Sequence, residues 1–497
     1  MSLWVGLAGT RRNACVTLRS RDAILGICEQ ERITRVRGAG VNGTGLPDEA
    51  LDELLARSGN TRHDVTGYAV ADGRLLPDGP EPIRVDGHFA QASAAFLSSP
   101  FDSAMVVICD EDAPRVSTWV GNGTAITRLD RPWNGPGFYE IYAQCAAALG
   151  FPGSGGEQRM EALARLNPLR RDGRADELFA LSEDGLRASA GWASRLRDWA
   201  ASAGADERPG IAAAVQSRLG ECLLELIEQV RGLAPSARSL CASGGLFSNS
   251  HFNSLIKQRS SFDEVFVPIS PGSAGRSLGA ASSFAPSARL AVSPFLGPSY
   301  TAEEIKSTLD NCKLTYQWAS DNDAVAIVVD SLKKGRLVGL FDGAMEWGPR
   351  ALGRRSIVAN PFAPYALDHL NRFLKQRDTW RGYALSGLDA AVQQHFDGPT
   401  ASPFMECDYA PKDRDLFRHV LPGPLANVRI QTVGPDAPAR FQAVLRAFGQ
   451  ETGVPVVVNT SFNGFREPIV CSPRDAIRVF YGTGIDVLVL GQFVIRK

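Results

Sequence analysis

Apolar and polar positions alternate in short blocks at the start of the chain: LWVGLAG, then NACVTLRS, then DAILGICEQER. A period of two puts successive side chains on opposite faces of an extended chain, so three short strands joined by turns are predicted, a meander opening a sheet. The period then lengthens. PDEALDELLARSG carries Pro47 and acids at its start and Gly59 at its end, as a helix requires, and HFAQASAAFLSS reads as a second helix whose small residues allow close packing. AMVVICDE returns to a strand and ends on the carboxylates Asp110, Glu111 and Asp112. Residues 207–231 make a long amphipathic helix, and ARSLCASGGLFSNSHFNSLI reads as strand, glycine turn and helix.

Pro, Ser and Gly concentrate in APSARLAVSPFLGPSYTAEEI, which places a domain boundary near residues 285–300 and divides the chain into 1–290 and 291–497. Beyond it strand and helix patterns alternate, from AVAIVVDSLKKG and RLVGLFDG to VPVVVNTSFN, PRDAIRVFYGTG and DVLVLGQFVIRK. The expected class is α/β in two domains, with no repeat at a period of roughly 20 to 50 residues.

Composition narrows the function. A chain of 497 residues exceeds one ordinary core. Its 53 Lys and Arg balance 54 Asp and Glu, which gives no reason to expect nucleic acid or an acidic membrane surface as partner. Nine cysteines, odd in number and without a CxxC pair, read as reduced buried thiols of a cytoplasmic protein. The start MSLWVGLAGTRRNACVTL lacks the features of a secretory signal, and no run approaches about 18 apolar residues, so a soluble protein is expected.

The stretch GLFDGAMEWGPRALGRRSIVANP packs Arg350, Arg354 and Arg355 onto a loop broken by glycine and proline. Forked guanidinium donors together with loop amides match phosphoryl oxygens; a solvated basic turn is the competing reading. Lys375 and Arg377 follow, beside Asn371 and Asp378. VVVNTSFNG then puts Asn459, Thr460, Ser461 and Asn463 at the end of an apolar strand, where α/β folds open their clefts, with helix capping as the alternative. ANVRIQTV sets Arg429 and Gln431 on one strand face. In the first half, Gly244 and Gly245 permit close approach of a phosphate or nucleoside to the following helix, or simply make a tight turn.

EWGPRALGRRSIVANP, LNRFLKQRD, VRIQTV, NTSFNGFREPIV and GIDVLVLGQFVIRK, in this order, resemble the carbamoyltransferases of the nodulation and antibiotic-biosynthesis type. EQERITR, GFPGSGGEQRMEALA, SGGLFSNSHFN and GRSLGAA extend the resemblance more weakly through the first half. The resemblance implies an actin- or sugar-kinase-like first domain and a YrdC-like second domain. The second would use ATP, with Mg2+, to convert carbamoyl phosphate to a carbamoyl-adenylate, releasing pyrophosphate; the first would pass the carbamoyl group to a small-molecule acceptor. It further implies that Arg350, Arg355, Lys375, Arg377, Arg429, Ser461 and Asn463 hold carbamoyl phosphate and ATP, with Arg354 and Asn459 beside them, while Glu346 and Asp378 orient the bases. The acceptor, and any homo- or hetero-oligomer, stay open.

Departures from the family pattern gather in the first half. The family carries a HHxxHAxSA-like run where this chain reads GHFAQASAAF, with Gly87, His88 and Gln91, and Ser273 stands where a metal carboxylate is expected. Gln and Ser are poor ligands for iron or zinc, so neither metal is expected. Asn13 replaces an aspartate, and DEDAP keeps Asp110 but puts Glu111 in place of a glycine. His88, Gln91, Asp110, Gly244, Gly245, Asn249 and Ser273 are then expected to line a metal-free transfer pocket, with a packed helix imidazole an equal reading of His88. In the second half Ala344 removes one arginine of the family motif and Arg354 adds another. The expected function is carbamoylation of a hydroxyl or amine of a specialised metabolite. The alternatives are another adenylate-dependent condensation, such as amide formation, and a non-catalytic or half-active partner of an active homologue.

Overall fold

The computed structural model describes residues 2–71, 81–167, 171–284, 289–421 and 423–497. The opening meander forms as expected: β1 (Leu3–Ala8), β2 (Cys15–Arg19) and β3 (Ile24–Glu29) run antiparallel. β4 (Val65–Val70) then joins parallel to β1, and β5 (Ile83–Arg84) parallel to β4, giving the order β3-β2-β1-β4-β5.

The same order occurs a second time. β6 (Ser103–Cys109), β7 (Val116–Asn122) and β8 (Ala125–Arg128) form an antiparallel meander. After a small hairpin of β9 (Phe179–Ser182) and β10 (Gly185–Ala188), β11 (Ser239–Ser243) pairs parallel with β6, and β12 (Glu264–Phe266) with β11. The resulting order β12-β11-β6-β7-β8 repeats the first sheet strand for strand, the doubled arrangement expected of an actin- or sugar-kinase-like half.

Two helices join the sheets. Ser273–Ser282 lies on β1 and β2, Gly87–Leu97 on β6 and β11, and the two pack on each other. The small residues of HFAQASAAF serve this contact: a methyl group at Gly279 would fall 1.7 Å from the carbonyl oxygen of Ala90, so only glycine fits. Asp86 caps the helix by accepting from the Phe89 N–H at 2.8 Å. The long amphipathic helix is Arg208–Leu233, and its buried Ile211, Leu219, Leu223 and Leu226 join the main core with Phe138 and Met160.

From residue 317 onward the strands belong to one mixed sheet of ten. In spatial order it runs Gln317–Trp318, Phe493–Arg496, Val487–Leu490, Val338–Phe341, Arg355–Ala359, Val456–Ser461, Leu385–Leu388, Val428–Val433, Cys407–Pro411 and Phe396–Asp397. Val338–Phe341 pairs parallel with Val487–Leu490, and Leu385–Leu388 with Val428–Val433; the other neighbours are antiparallel. Helices Asp321–Lys333 and Ala439–Thr452 share an apolar cluster with it. Among the described residues no helix is long and apolar enough to cross a membrane.

Candidate functional site

A cavity of about 710 Å³ lies where the two smaller sheets meet the large one. The turn after β1 brings Arg12 and Asn13 to one end, and the equivalent turn after β6 brings Asp110 and Glu111. Helix Gly156–Ala164 lines the middle with Glu161, and Lys375, Arg377, Arg381, Asn459, Ser461 and Asn463 line the other end.

That other end is built around unpaired cations. Lys375 follows the π-helical turn His369–Leu374, and its Nζ donates to the carbonyl oxygens of Ser461 at 2.6 Å and Asn463 at 3.1 Å, and to Asn463 Oδ1. Arg377 donates from Nε to Asn371 Oδ1 at 2.9 Å and from Nη2 to the Gly382 carbonyl at 3.1 Å, its guanidinium 3.9 Å from the Tyr383 ring centre. Arg350 donates from Nη2 to the Ser248 carbonyl at 3.1 Å. Arg381 joins them at the wall. Among the described residues none of these four has a carboxylate within ion-pairing distance.

The cost of this arrangement shows in their acidities. Burial, then the neighbouring Arg377, pushes the Lys375 ammonium well below its ordinary value. Burial and Arg429 push Arg350 down to about 9, and burial and Arg377 push Arg381 down to about 10, so both stay charged at neutral pH. Neighbouring like charges repel one another, and a bound polyanion relieves that repulsion. Ser461 and Asn463 act here as acceptors around Lys375. Neither begins a helix, since Pro473–Gly482 is capped by Ser472, and the capping reading of NTSFN falls away.

The arginine loop is held from several sides. Glu346 Oε1 accepts from the backbone N–H groups of Leu352, Arg354 and Arg355 at 2.8, 2.8 and 3.0 Å, so it shapes the backbone rather than orienting arginine side chains. Asn459 Nδ2 donates to the Ala351 carbonyl at 3.2 Å and to Ser386 Oγ at 2.9 Å, and Gln431 Nε2 to the Leu352 carbonyl at 3.3 Å. Asn459 thus reaches the cavity wall, but its amide supports the loop.

Arg355 and Arg354 correct the expectation that they hold substrate, because neither lines the cavity. Arg355 is fully buried; its guanidinium donates to the carbonyls of Asp342 and Gly343 at 2.8 and 3.0 Å and lies 3.6 Å from the Phe341 ring centre. The Arg354 guanidinium lies 4.8 Å from the Phe295 ring centre. Asp378 pairs with Arg159 at 3.6 Å instead of orienting Lys375 or Arg377.

The middle of the cavity holds a network that the sequence reading missed. Glu161 Oε1 accepts from Arg165 at 2.5 Å, Arg429 at 2.8 Å, and the N–H and hydroxyl of Ser250 at 2.9 and 2.8 Å. Asp408 Oδ2 accepts from Arg165 Nε at 2.9 Å. Burial alone would raise the Glu161 carboxyl, but Arg165, Arg429 and Arg350 outweigh it and leave it well below the usual carboxylate range. Arg429, expected on substrate, lines the cavity with part of its donor set already committed to Glu161 and Ser250. The signal for this network lay in GFPGSGGEQRMEALA, whose Glu161 no motif of charge or spacing marked out.

At the first-half end the expected pocket is only partly assembled. Asp110, Gly245, Asn249 and Ser273 line the cavity; His88, Gln91 and Gly244 do not. His88 is buried, with Nδ1 2.7 Å from Ser117 Oγ and Nε2 3.3 Å from the Asp112 carbonyl oxygen, so it is a packed helix imidazole. Gln91 Nε2 donates to the Pro271 carbonyl at 3.1 Å. Gly244 supplies the turn, at φ +105°. Asn249 caps helix Ser250–Arg259 by accepting from the His251 N–H at 2.9 Å, so that N-terminus is already satisfied. The donor set here does not fit iron or zinc: both His88 nitrogens are engaged, and Gln91 and Ser273 are poor ligands for either metal. Arg276 itself bridges Asp110 at 3.4 Å and Asp112 at 2.7 Å, and Arg12 pairs with Glu111 at 2.5 Å.

Comparison with known proteins gives two profile matches, one described as Carbamoyltransferase N-terminus over residues 78–282 and one as Carbamoyltransferase C-terminus over residues 329–497. The chain is 31% identical to an uncharacterized protein, sll1178, of Synechocystis sp., over 84% of this chain and 77% of that protein. It is likewise 31% identical to Nodulation protein NolO of Bradyrhizobium diazoefficiens, over 58% of this chain but only 54% of NolO. Among solved structures, the activator of the 2-hydroxyisocaproyl-CoA dehydratase from Clostridium difficile aligns with 56% of this chain and 92% of its own at 14% identity and a TM-score of 0.38.

Proposed function

Because the chain belongs to the carbamoyltransferase family, we propose that it is an ATP-dependent enzyme that carbamoylates a hydroxyl or amine of a small molecule through a carbamoyl-adenylate. The observation that carries this reading is that Arg350, Lys375, Arg377 and Arg381, four basic side chains with no carboxylate within ion-pairing distance among the described residues, all line the cavity. Preorganised cations are what a transferring phosphoryl group requires, because they stabilise charge as it develops without reorganising.

In this reading residues 291–497 activate and residues 1–290 transfer. Water hydrolyses carbamoyl phosphate to carbamate and inorganic phosphate, the carbamate oxygen attacks the α-phosphorus of ATP, and pyrophosphate leaves. The acceptor then attacks the carbamoyl carbon, and AMP departs. Lys375 and the three arginines hold the phosphoryl oxygens, and the Glu161 network keeps Arg429 and Arg165 beside them. Among the described residues no three His, Cys, Asp or Glu side chains gather into a metal-binding group, so Mg2+ would arrive on the nucleotide.

The test is incubation of the purified protein with ATP, Mg2+ and carbamoyl phosphate, followed by assay of AMP and pyrophosphate. Release of both that depends on carbamoyl phosphate is expected. Absence of nucleotide cleavage, alone or with candidate acceptors, would overturn the proposal in favour of a non-catalytic partner. Cleavage with other carboxylic acids but not carbamoyl phosphate would reassign the acyl group.

A further inference from the structure

The loop that carries Arg350 is not held by its own half alone. Glu346, Asn459 and Gln431 fix its later part, residues 351–355, through backbone groups. Gly348, two residues before Arg350, is gripped from the other half of the molecule. Its N–H donates to Glu29 Oε1 at 2.8 Å, and its carbonyl oxygen accepts from Arg32 Nη2 at 2.8 Å. Both polar groups of one peptide residue are thus satisfied by two side chains, Glu29 at the end of β3 and Arg32 in the helical turn Gln30–Thr34 that follows it.

The pair is built for that purpose. Arg32 is 4% exposed and Glu29 12% at the side chain, and Arg32 Nη2 also donates to Glu29 Oε1 at 3.4 Å. Removing either would leave one of the Gly348 peptide groups without its partner, although Arg32 would keep Glu31 at 3.8 Å and Glu29 would keep the Gly348 N–H. The same segment reaches the far wall: Arg35 donates to the carbonyls of Ile469 and Pro468 at 2.6 and 2.7 Å, and both residues line the cavity. Among the described residues the Arg350 guanidinium donates to a first-half carbonyl, that of Ser248.

We propose that Glu29 and Arg32 are positioning residues that clamp Gly348 and so aim the Arg350 guanidinium at the anion in the cavity. Glu29 and Arg32 themselves line the cavity, but this role requires no contact between them and the substrate. The inference rests on the activation reading above for its kinetic test, and on anion binding alone for its second.

Pyrophosphate release by the full chain, measured against carbamoyl phosphate concentration, separates positioning from general damage. Glu29→Ala and Arg32→Met are expected to raise KM for carbamoyl phosphate by about tenfold or more with a smaller change in kcat, the loss associated with a charge-assisted contact. Glu29→Gln, which keeps the acceptor, and Arg32→Lys, which keeps a donor, should recover most of it. Wild-type KM in both truncated variants, or an equal fall in kcat that neither conservative variant rescues, would overturn the clamp. If the wild-type protein shows no turnover, the activation reading fails, and the clamp is judged by calorimetric binding of inorganic pyrophosphate. Affinity about tenfold weaker in Glu29→Ala and Arg32→Met supports it, and unchanged affinity overturns it.

Discussion

The carboxylate of Glu161 receives the guanidinium of Arg429 at 2.8 Å, joining helix Gly156–Ala164 to strand Val428–Val433 of the large sheet. The pair is buried, and Arg165 and Ser250 share the same oxygen. Breaking such a group by removing one partner strands the others, and Glu161→Ala is expected to destabilise the protein by about 3–5 kcal/mol. Denaturant unfolding measures this.

The same carboxyl sets an acid limit. Its pKa is held below the value in the unfolded chain, so the unfolded state binds more protons and stability rises with pH. The contribution is complete above about pH 4.3, the ordinary glutamate value, and is lost as pH falls below it. A Glu161→Gln variant should show a flatter loss of stability below about pH 4.3 than the wild type in melting experiments at stepped pH.

Lys375 should show the opposite balance between stability and function. Its ammonium is buried without a carboxylate, so a methionine of similar reach relieves the desolvation of a charge. Lys375→Met is expected to leave the ligand-free protein as stable as the wild type or about 1 kcal/mol more stable, while pyrophosphate release is lost. Burial lowers the Lys375 pKa and an anion raises it again, so ligand binding takes up protons where the pH lies between the free and bound values. Calorimetry in buffers of different ionisation enthalpy reads that uptake.

Anions should stabilise the whole chain. Pyrophosphate at about 100 times its dissociation constant is expected to add about 2.7 kcal/mol, with the gain shrinking as salt screens the cluster. Arg350→Ala should cut binding by on the order of 1.5 to 3 kcal/mol and leave the unliganded melting temperature nearly unchanged. The comparison of melting temperatures with and without ligand checks both.

His88 should matter to the fold alone. Its imidazole bridges Ser117 and the Asp112 carbonyl, and burial lowers its pKa despite the nearby Asp110 carboxylate. The neutral form is the folded one, so stability should be complete above about pH 6.5 and decline as pH drops below it, levelling once the folded imidazole is itself protonated. His88→Ala is expected to cost about 1–3 kcal/mol and to remove that decline, while pyrophosphate release per folded molecule stays near wild type.

What the sequence made legible follows what each residue type does locally. Alternation located the opening meander, and the glycine after SLCAS located a turn that the structure places at φ +105°. Arg350, on a loop broken by glycine and proline, and Lys375 and Arg377, in the basic stretch LNRFLKQRD, stood out as cations, and all three line the cavity. Arg354 and Arg355 look the same in sequence, yet they pack on Phe295 and Phe341, since nothing local says which way a guanidinium turns. Glu161 was hidden for the same reason: its partner Arg429 comes from a strand more than two hundred residues away, and only the fold brings them together. The doubled sheet was equally invisible, because its two copies share strand order and not residues.

The contact of Gly279 with Ala90 has one more result. The helices that meet there each lie on one of the two matching sheets, and the hairpin turns of those sheets form one end of the cavity. A wider residue at 279 would force one of these helices to shift against the other, and with it the turns that bring Arg12 and Glu111 together at the cavity. Its calibre is therefore gauged by a residue that does not line it, through a hydrogen atom where other amino acids carry carbon.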